Sequence, residues 1–217
     1  MPAFVDSIVR VTAGSITLEG NISSPDRATG MVVFAHGSGS SRQSPRNRFV
    51  AEQLQRRGLA TLLIDLLTPE EEQIDTYTRH IRFDIGLLAN RLVLASNWLS
   101  RQPETETLRV GFFGASTGAA AALVAAAELP SRVWAIVSRG GRPDLAGAAL
   151  PHVTAPTLLI VGGEDTPVIS LNRQAYARLD IEKRMEIVPG ATHLFEEPGT
   201  LEEVARLAGD WFAHYLA

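Results

Sequence analysis

The sequence predicts an α/β fold: a mostly parallel sheet of about eight strands, an antiparallel hairpin at its N-terminal end, and helices on both faces. Short runs of Val, Ile, Leu and Phe alternate with amphipathic helical patterns along almost the whole chain, as strand–helix–strand crossovers require. These runs are near-continuous in apolar character, as in strands buried on both faces. The third observation is compositional. At 217 residues, 45% hydrophobic and without cysteine, the chain suits one domain burying roughly 70% of its unfolded surface, with no need of a disulfide or metal staple.

Taken in order, Ser7–Thr12 and Ile16–Ile22 flank Ala13-Gly14-Ser15 and read as the hairpin. The buried strands follow at Gly30–Ala35, Leu59–Ile64, Leu108–Phe113, Val133–Ser138, Thr157–Val161 and Arg184–Val188. The first helix has Ser44 as N-cap and Pro45 in its first turn, an apolar face of Phe49, Val50 and Leu54, and Gly58 at its end. Ile81, Ile85, Leu88, Leu92, Ala95 and Leu99 recur at helical spacing until Pro103. A third helix follows Ser116, a fourth spans Pro167–Leu179, and the last opens with Thr200 and Glu203 as a capping box, with Leu201, Val204, Ala208, Trp211 and Tyr215 on its inner face. Between Ser138 and Thr157 only a short helix fits, so no cap domain is expected.

Composition excludes several classes. Without cysteine there is no thiolate metal cluster and no cysteine nucleophile. A net charge of -4 gives no global attraction to nucleic acid or anionic lipid. The first ten residues lack a basic stretch followed by an apolar core, and no segment has the apolar length of a membrane helix. A cytoplasmic location, no nucleic-acid or membrane partner, no metal and no cofactor are the expectations.

Gly114-Ala115-Ser116-Thr117-Gly118 lies where a strand must turn sharply into a helix. This G-x-S-x-G pattern is a nucleophile elbow: a tight turn lifts the serine hydroxyl above the sheet, and side chains at 114 or 118 would strike the neighbouring strand and helix. The same glycines also look like part of the short-chain dehydrogenase fingerprint, which would imply NAD(P). Here, however, the motif lies mid-chain, Ala120 stands where a further glycine is expected, and no tyrosine has a lysine four residues on. With no lysine beside the loop, a P-loop is excluded.

A nucleophilic serine needs an acid and a base further along the chain. His214 falls in the last helix and His152 precedes a strand, whereas His193 follows the strand Arg184–Val188 and the turn Pro189–Thr192, at the edge where Ser116 must lie. After Thr157–Val161, Glu164 and Asp165 both offer carboxylates; the shorter Asp165, one position deeper in the loop, suits an imidazole partner. His36-Gly37-Ser38-Gly39-Ser40-Ser41 leaves the strand Gly30–Ala35. Its Ser38 amide and the Thr117 amide are the expected oxyanion donors, with His36 bracing the loop.

These segments together resemble the α/β-hydrolase superfamily over essentially the whole chain, and within it the small, lidless dienelactone-hydrolase-like branch. Gly190-Ala191-Thr192-His193-Leu194-Phe195 resembles the family's catalytic-histidine turn and Gly162-Gly163-Glu164-Asp165 its acid loop. The resemblance implies an α/β-hydrolase fold, Ser116 as nucleophile, Asp165 as acid, His193 as base, and Ser38 and Thr117 as oxyanion donors. Dienelactone hydrolases proper typically carry cysteine at the elbow, so serine here argues against a dienelactone as substrate, and the absence of a lid points to small ester, thioester or lactone substrates. Ser40, Arg139, Arg142 and Phe195 are candidate substrate contacts, the two arginines for a carboxylate unless Asp144 engages them, while Arg42, Arg46 and Arg48 read as a solvated helix face. A non-catalytic interaction protein on the same fold is the other alternative.

Overall fold

The computed structural model of the chain describes residues 4–217. Its eight strands are β1 (Phe4–Ala13), β2 (Ile16–Pro25), β3 (Gly30–Ala35), β4 (Leu59–Ile64), β5 (Val110–Ala115), β6 (Val133–Arg139), β7 (Thr157–Gly162) and β8 (Lys183–Val188). They form one sheet in the order β1-β2-β4-β3-β5-β6-β7-β8. β1 and β2 are the antiparallel hairpin, β2 joins β4 antiparallel, and every later pairing is parallel. This is the α/β-hydrolase arrangement, and among the described residues no cap domain interrupts it.

Six α-helices connect and cover the sheet: α1 (Pro45–Arg56), α2 (Pro69–Thr78), α3 (Ile85–Leu99), α4 (Thr117–Glu128), α5 (Thr166–Arg178) and α6 (Thr200–Leu216), with 3-10 turns at Ile81–Phe83 and Pro143–His152. Side chains alternate across each strand, so the sheet divides the core in two. Val33, Phe112 and Ile136 pack with Leu92 of α3 and the alanines of α4. Phe34, Phe113 and Val137 pack with Val50 and Leu54 of α1 and Ala208 and Phe212 of α6. The run Ala119–Ala122 is fully buried, the small side chains letting α4 lie close on the strands beneath it.

The structure corrects four expectations. β5 begins and ends two residues later than the apolar run suggests, which brings Ser116 directly after the strand. Only Val188 of β8 is buried, because β8 is a sheet edge with one covered face. The pattern beginning at Ile81 is two elements, a 3-10 turn and then α3, whose N-cap is Asp84 accepting from the Leu87 amide. At α6 the cap is Gly199, at φ 82°; the Thr200 hydroxyl instead donates back to the Glu197 carbonyl at 2.7 Å, and Glu203 pairs with Arg206. A genuine capping box opens α2, which hydrophobic periodicity does not reveal. There the Glu71 amide donates to Thr68 Oγ1 at 3.2 Å and the Thr68 amide to Glu71 Oε2 at 2.9 Å, while Ile74 and Tyr77, the apolar residues that would mark a buried face, are exposed.

Candidate active site

β5 delivers its chain into α4 through one strained residue. Ser116 has φ 51° and ψ -122°, a region an L-residue occupies at a cost of about 1–3 kcal/mol and one concentrated at functional sites. The elbow closes only because its flanks lack side chains. A Cβ on Gly114 would lie 2.4 Å from Ala119 Cα, and one on Gly118 would lie 2.2 Å from the Ala35 carbonyl oxygen. Ser116 is partly exposed at the N-terminus of α4, where the helix dipole favours negative charge.

His193 and Asp165 reach the same edge from neighbouring strands. Asp165 follows β7 in a turn closed by its own amide on the Gly162 carbonyl at 3.1 Å, and Glu164 beside it is exposed. His193 Nδ1 donates to Asp165 Oδ2 at 2.6 Å. A carboxylate offers only lone pairs, so Nδ1 carries the proton and Nε2 is left with its lone pair free. The turn bearing His193 is fastened by Glu197, whose carboxylate accepts from the Thr192 amide at 3.0 Å and from its hydroxyl at 2.6 Å. Those bonds hold the Glu197 carboxyl below its ordinary pKa.

A single residue ties this turn to the elbow. Arg139 ends β6 in register with Ala115, and its carbonyl accepts the Ser116 amide at 3.3 Å. Next in the chain, Gly140 sits under His193: a Cβ there would come within 2.9 Å of the His193 carbonyl oxygen and 3.7 Å of its Cε1. The hydroxyl of Ser116 is itself without a side-chain hydrogen bond among the described residues, a looseness usual before substrate binds.

The loop His36–Ser41 passes over the elbow from the other side. His36 is buried and uses both ring nitrogens: Nδ1 donates to the Gly37 carbonyl and Nε2 accepts from the Leu66 amide, each at 3.0 Å. Burial lowers its pKa, and the neutral ring has no nitrogen left for proton transfer. The Ser38 amide donates to Thr117 Oγ1 at 2.9 Å, joining the two expected oxyanion segments to each other. Beside Ser40 a cleft of about 210 Å³ is lined by Glu19, Ser41, Arg42, Asp65, Leu67 and Glu72, among others.

Three expected substrate contacts have their side chains engaged within the protein, although Arg139 and Arg142 are both hydrogen-bonded to Ser116 through the backbone. Phe195 is 1% exposed, packed in the core at φ 56° beneath its own turn. Arg142 pairs with Asp144 through two bonds of 2.8 and 2.9 Å, which raise its pKa. Arg139 is 6% exposed, its head group enclosed by the Leu194 carbonyl and Asn47 Oδ1, each at 3.4 Å, and by the Phe195 ring. Burial, reinforced by Arg46, lowers its pKa to about 10. Ser40 lines an open cleft.

Arg42 also departs from expectation, because it precedes α1 and turns inward. It binds Asp65, Glu19 at 2.7 Å and Asn21 at 3.0 Å, anchoring the loop to β2 and the end of β4. Sequence reasoning missed the pairing of buried Asp75 with Arg82, which fastens α2 to the following turn. Hydrogen bonds from Arg82 and the Ile81 amide outweigh burial and hold the Asp75 carboxyl below its ordinary pKa.

With this geometry in view, the comparison with known families is decisive: the family model for the dienelactone hydrolase family matches residues 18–215. The chain belongs to the dienelactone hydrolase family. A crystal structure of a dienelactone hydrolase from Anabaena variabilis ATCC 29413 is 64% identical, covers 99% of each chain and superposes with a TM-score of 0.97. Est1E from Butyrivibrio proteoclasticus, 14% identical, shares the fold at a TM-score of 0.79 over 95% of this chain and 98% of that one. A Mycobacterium tuberculosis (strain H37Rv) protein provisionally named a phosphoribosyl transferase is 58% identical over 99% of this chain. The chain spans 48% of that relative's length. Family and fold support a hydrolase. Among the described residues, no helix is long and apolar enough to cross a membrane.

Proposed function

We propose that the chain is a serine hydrolase of small ester, thioester or lactone substrates, acting through an acyl-enzyme. The observation that carries this reading is the strained φ of 51° at Ser116, directly after β5 and at the sheet edge where His193 is hydrogen-bonded to Asp165. Strain of that kind is retained where it performs a task, and here it lifts a hydroxyl.

The steps follow from the geometry. Ser116 Oγ attacks the substrate carbonyl while its proton passes to His193 Nε2, the nitrogen left free by the bond to Asp165. The carbonyl electron pair moves to oxygen, stabilised by hydrogen-bond donors around Thr117 and Ser38 and by the N-terminus of α4. Collapse returns that pair to the carbonyl and expels the alcohol, which takes the proton from His193. Water, deprotonated by His193, then releases the acyl group by the same sequence. Asp165 fixes the imidazole tautomer and stabilises its protonated form.

The cleft beside Ser40, which is lined by none of Ser116, Asp165 and His193, favours neutral over anionic groups on the part of a substrate that reaches past Ser40. Glu19, Asp65 and Glu72 line it, and Arg42, the one cation there, is already bound to two of these acids. An ester whose carboxylate reached past Ser40 would meet repulsion in this cleft. Hydrolysis of p-nitrophenyl acetate by wild type and by Ser116→Ala tests the proposal. Turnover lost in the variant, with thermal stability retained, supports it; equal turnover in both overturns it.

A further inference from the structure

We infer that the hydroxyl of Thr117, and not the amide of Ser38, donates the second hydrogen bond to the oxyanion, with the Ser38 amide behind it as a relay. The inference rests on the reading of Ser116 as nucleophile and deepens it. Three observations carry it. First, the Ser38 amide is already committed, donating to Thr117 Oγ1 at 2.9 Å. To serve an oxyanion directly it would first have to break that bond inside a site where Thr117 is 4% exposed.

Second, the Thr117 hydroxyl has a proton to give. A hydroxyl carries one donor and two acceptor sites, and the bond from Ser38 uses only an acceptor site. A threonine within a helix usually returns its proton to the carbonyl four residues earlier, but Thr117 is the first residue of α4 and the residue four before it, Phe113, belongs to β5. No protein group among the described residues accepts that proton. Third, Thr117 is the residue after Ser116, and its own amide lies at the same positive helix end.

The residue next to the nucleophile in the chain thus carries both an N–H and an O–H that it can give to the oxyanion. In the chain N–H (Ser38) to Oγ1–H (Thr117) to oxyanion, the first bond polarises the second, so each strengthens the other. Attack forms the bond from Ser116 Oγ to the carbonyl carbon and moves the π pair onto oxygen. That oxygen accepts from Thr117 N–H and Oγ1–H without any proton changing owner, and both bonds weaken again on collapse.

The test uses the full chain and its Thr117→Val, Thr117→Ala and Thr117→Ser variants. Kinetics with p-nitrophenyl acetate are run beside inhibition by phenylboronic acid, which forms a tetrahedral adduct with a nucleophilic serine. Labelling of Ser116 by a fluorophosphonate checks the underlying reading separately. Losing one oxyanion donor costs on the order of 10²-fold in kcat, so Thr117→Val is expected to lose about that factor, with KM little changed because the interaction exists only in the transition state. Boronate inhibition should weaken by a similar factor, and Thr117→Ser should recover most of both. Thr117→Ala, which only removes atoms, carries the same expectation if valine disturbs the elbow.

Valine or alanine variants that turn over as fast as wild type, and bind boronate as tightly, would overturn the inference in favour of direct donation by Ser38. Equal losses in the serine and valine variants would overturn it too, by showing that the threonine methyl matters and the hydroxyl does not. A wild type that neither labels at Ser116 nor hydrolyses esters would instead remove the nucleophile reading on which the inference stands.

Discussion

On the oxyanion side of the site, three guanidiniums each meet carboxylates: Arg42 with Glu19 and Asp65, Arg82 with Asp75, and Arg91 with Glu71. On the histidine side, Arg139 is more deeply buried than Arg42 and meets none, being held by a carbonyl, an amide oxygen and an aromatic face. The difference follows from what each side must keep in place. Loop 36–42 and α2 lie partly in solvent and lack a large apolar face, so ion pairs compensate for missing core. Beneath His193 the carboxylates of the turn are engaged elsewhere, Glu197 by Thr192 and Glu196 by Arg46, which leaves Asp165 as the imidazole's partner. A guanidinium can brace the turn through neutral oxygens without offering the ring another acceptor.

The largest expected effects fall within the histidine pair itself. By analogy with serine-protease triads, Asp165→Asn should lower kcat on the order of 10⁴-fold and His193→Ala on the order of 10⁶-fold, with residual activity from the oxyanion donors; ester kinetics and unchanged melting curves check this. Next comes the buried pair on the opposite side. Asp75→Asn leaves Arg82 partly buried and uncompensated, which typically costs about 3–5 kcal/mol. It should therefore show in urea unfolding far more than in kcat of the folded enzyme. Arg139→Met should reverse that balance. Replacing a buried charge that has no carboxylate by an apolar side chain of similar length is close to neutral for stability, while misplacing His193 by about 1 Å is worth up to about 10²-fold in rate. A fall in kcat at constant KM and near-constant Tm is the expected result. Arg139→Met enzyme that keeps full kcat, or Asp75→Asn enzyme that keeps full stability, would erase the distinction between the two sides.

A smaller effect should appear with pH. The pKa of His36 is lowered in the folded state from 6.5, so the unfolded chain binds the extra proton first. Its contribution to stability is complete above 6.5 and is lost as pH falls from there through the folded value. His36→Asn should be less stable at neutral pH yet lose less on acidification, measured by denaturant midpoints between pH 7 and 5. The smallest change belongs to Thr68→Ala, which removes one cap from α2 and should cost about 1 kcal/mol.

The placement of the candidate site residues was legible because each of them carries a local backbone signal. Gly114 and Gly118 mark a turn that tolerates no side chain. His193 and Asp165 sit just after strands whose apolar runs are unambiguous, so parallel order alone brings them to one edge. Capping was less legible: Thr68 and Glu71 form the box and Thr200 and Glu203 do not, although the residue types are alike. The difference lies in Gly199 and the Glu197 carbonyl, a tertiary arrangement that spacing does not encode. Side-chain direction was the least legible. Arg139 follows Ser138 at a strand end, and the pleat sends it under α1 rather than toward substrate. Arg42 likewise turns inward because acids on β2 and after β4 receive it. The Ser38–Thr117 bond depends on how closely two loops 79 residues apart approach, which no local pattern announces.

The most direct measurement is the site of covalent labelling. Treated with a fluorophosphonate and digested with trypsin, the protein should carry the adduct on the peptide Val110–Arg132, at Ser116, with labelling abolished in Ser116→Ala and strongly slowed in His193→Ala. An ester-hydrolysing wild type that takes no label at Ser116, or a Ser116→Ala variant that keeps its turnover, would contradict the account.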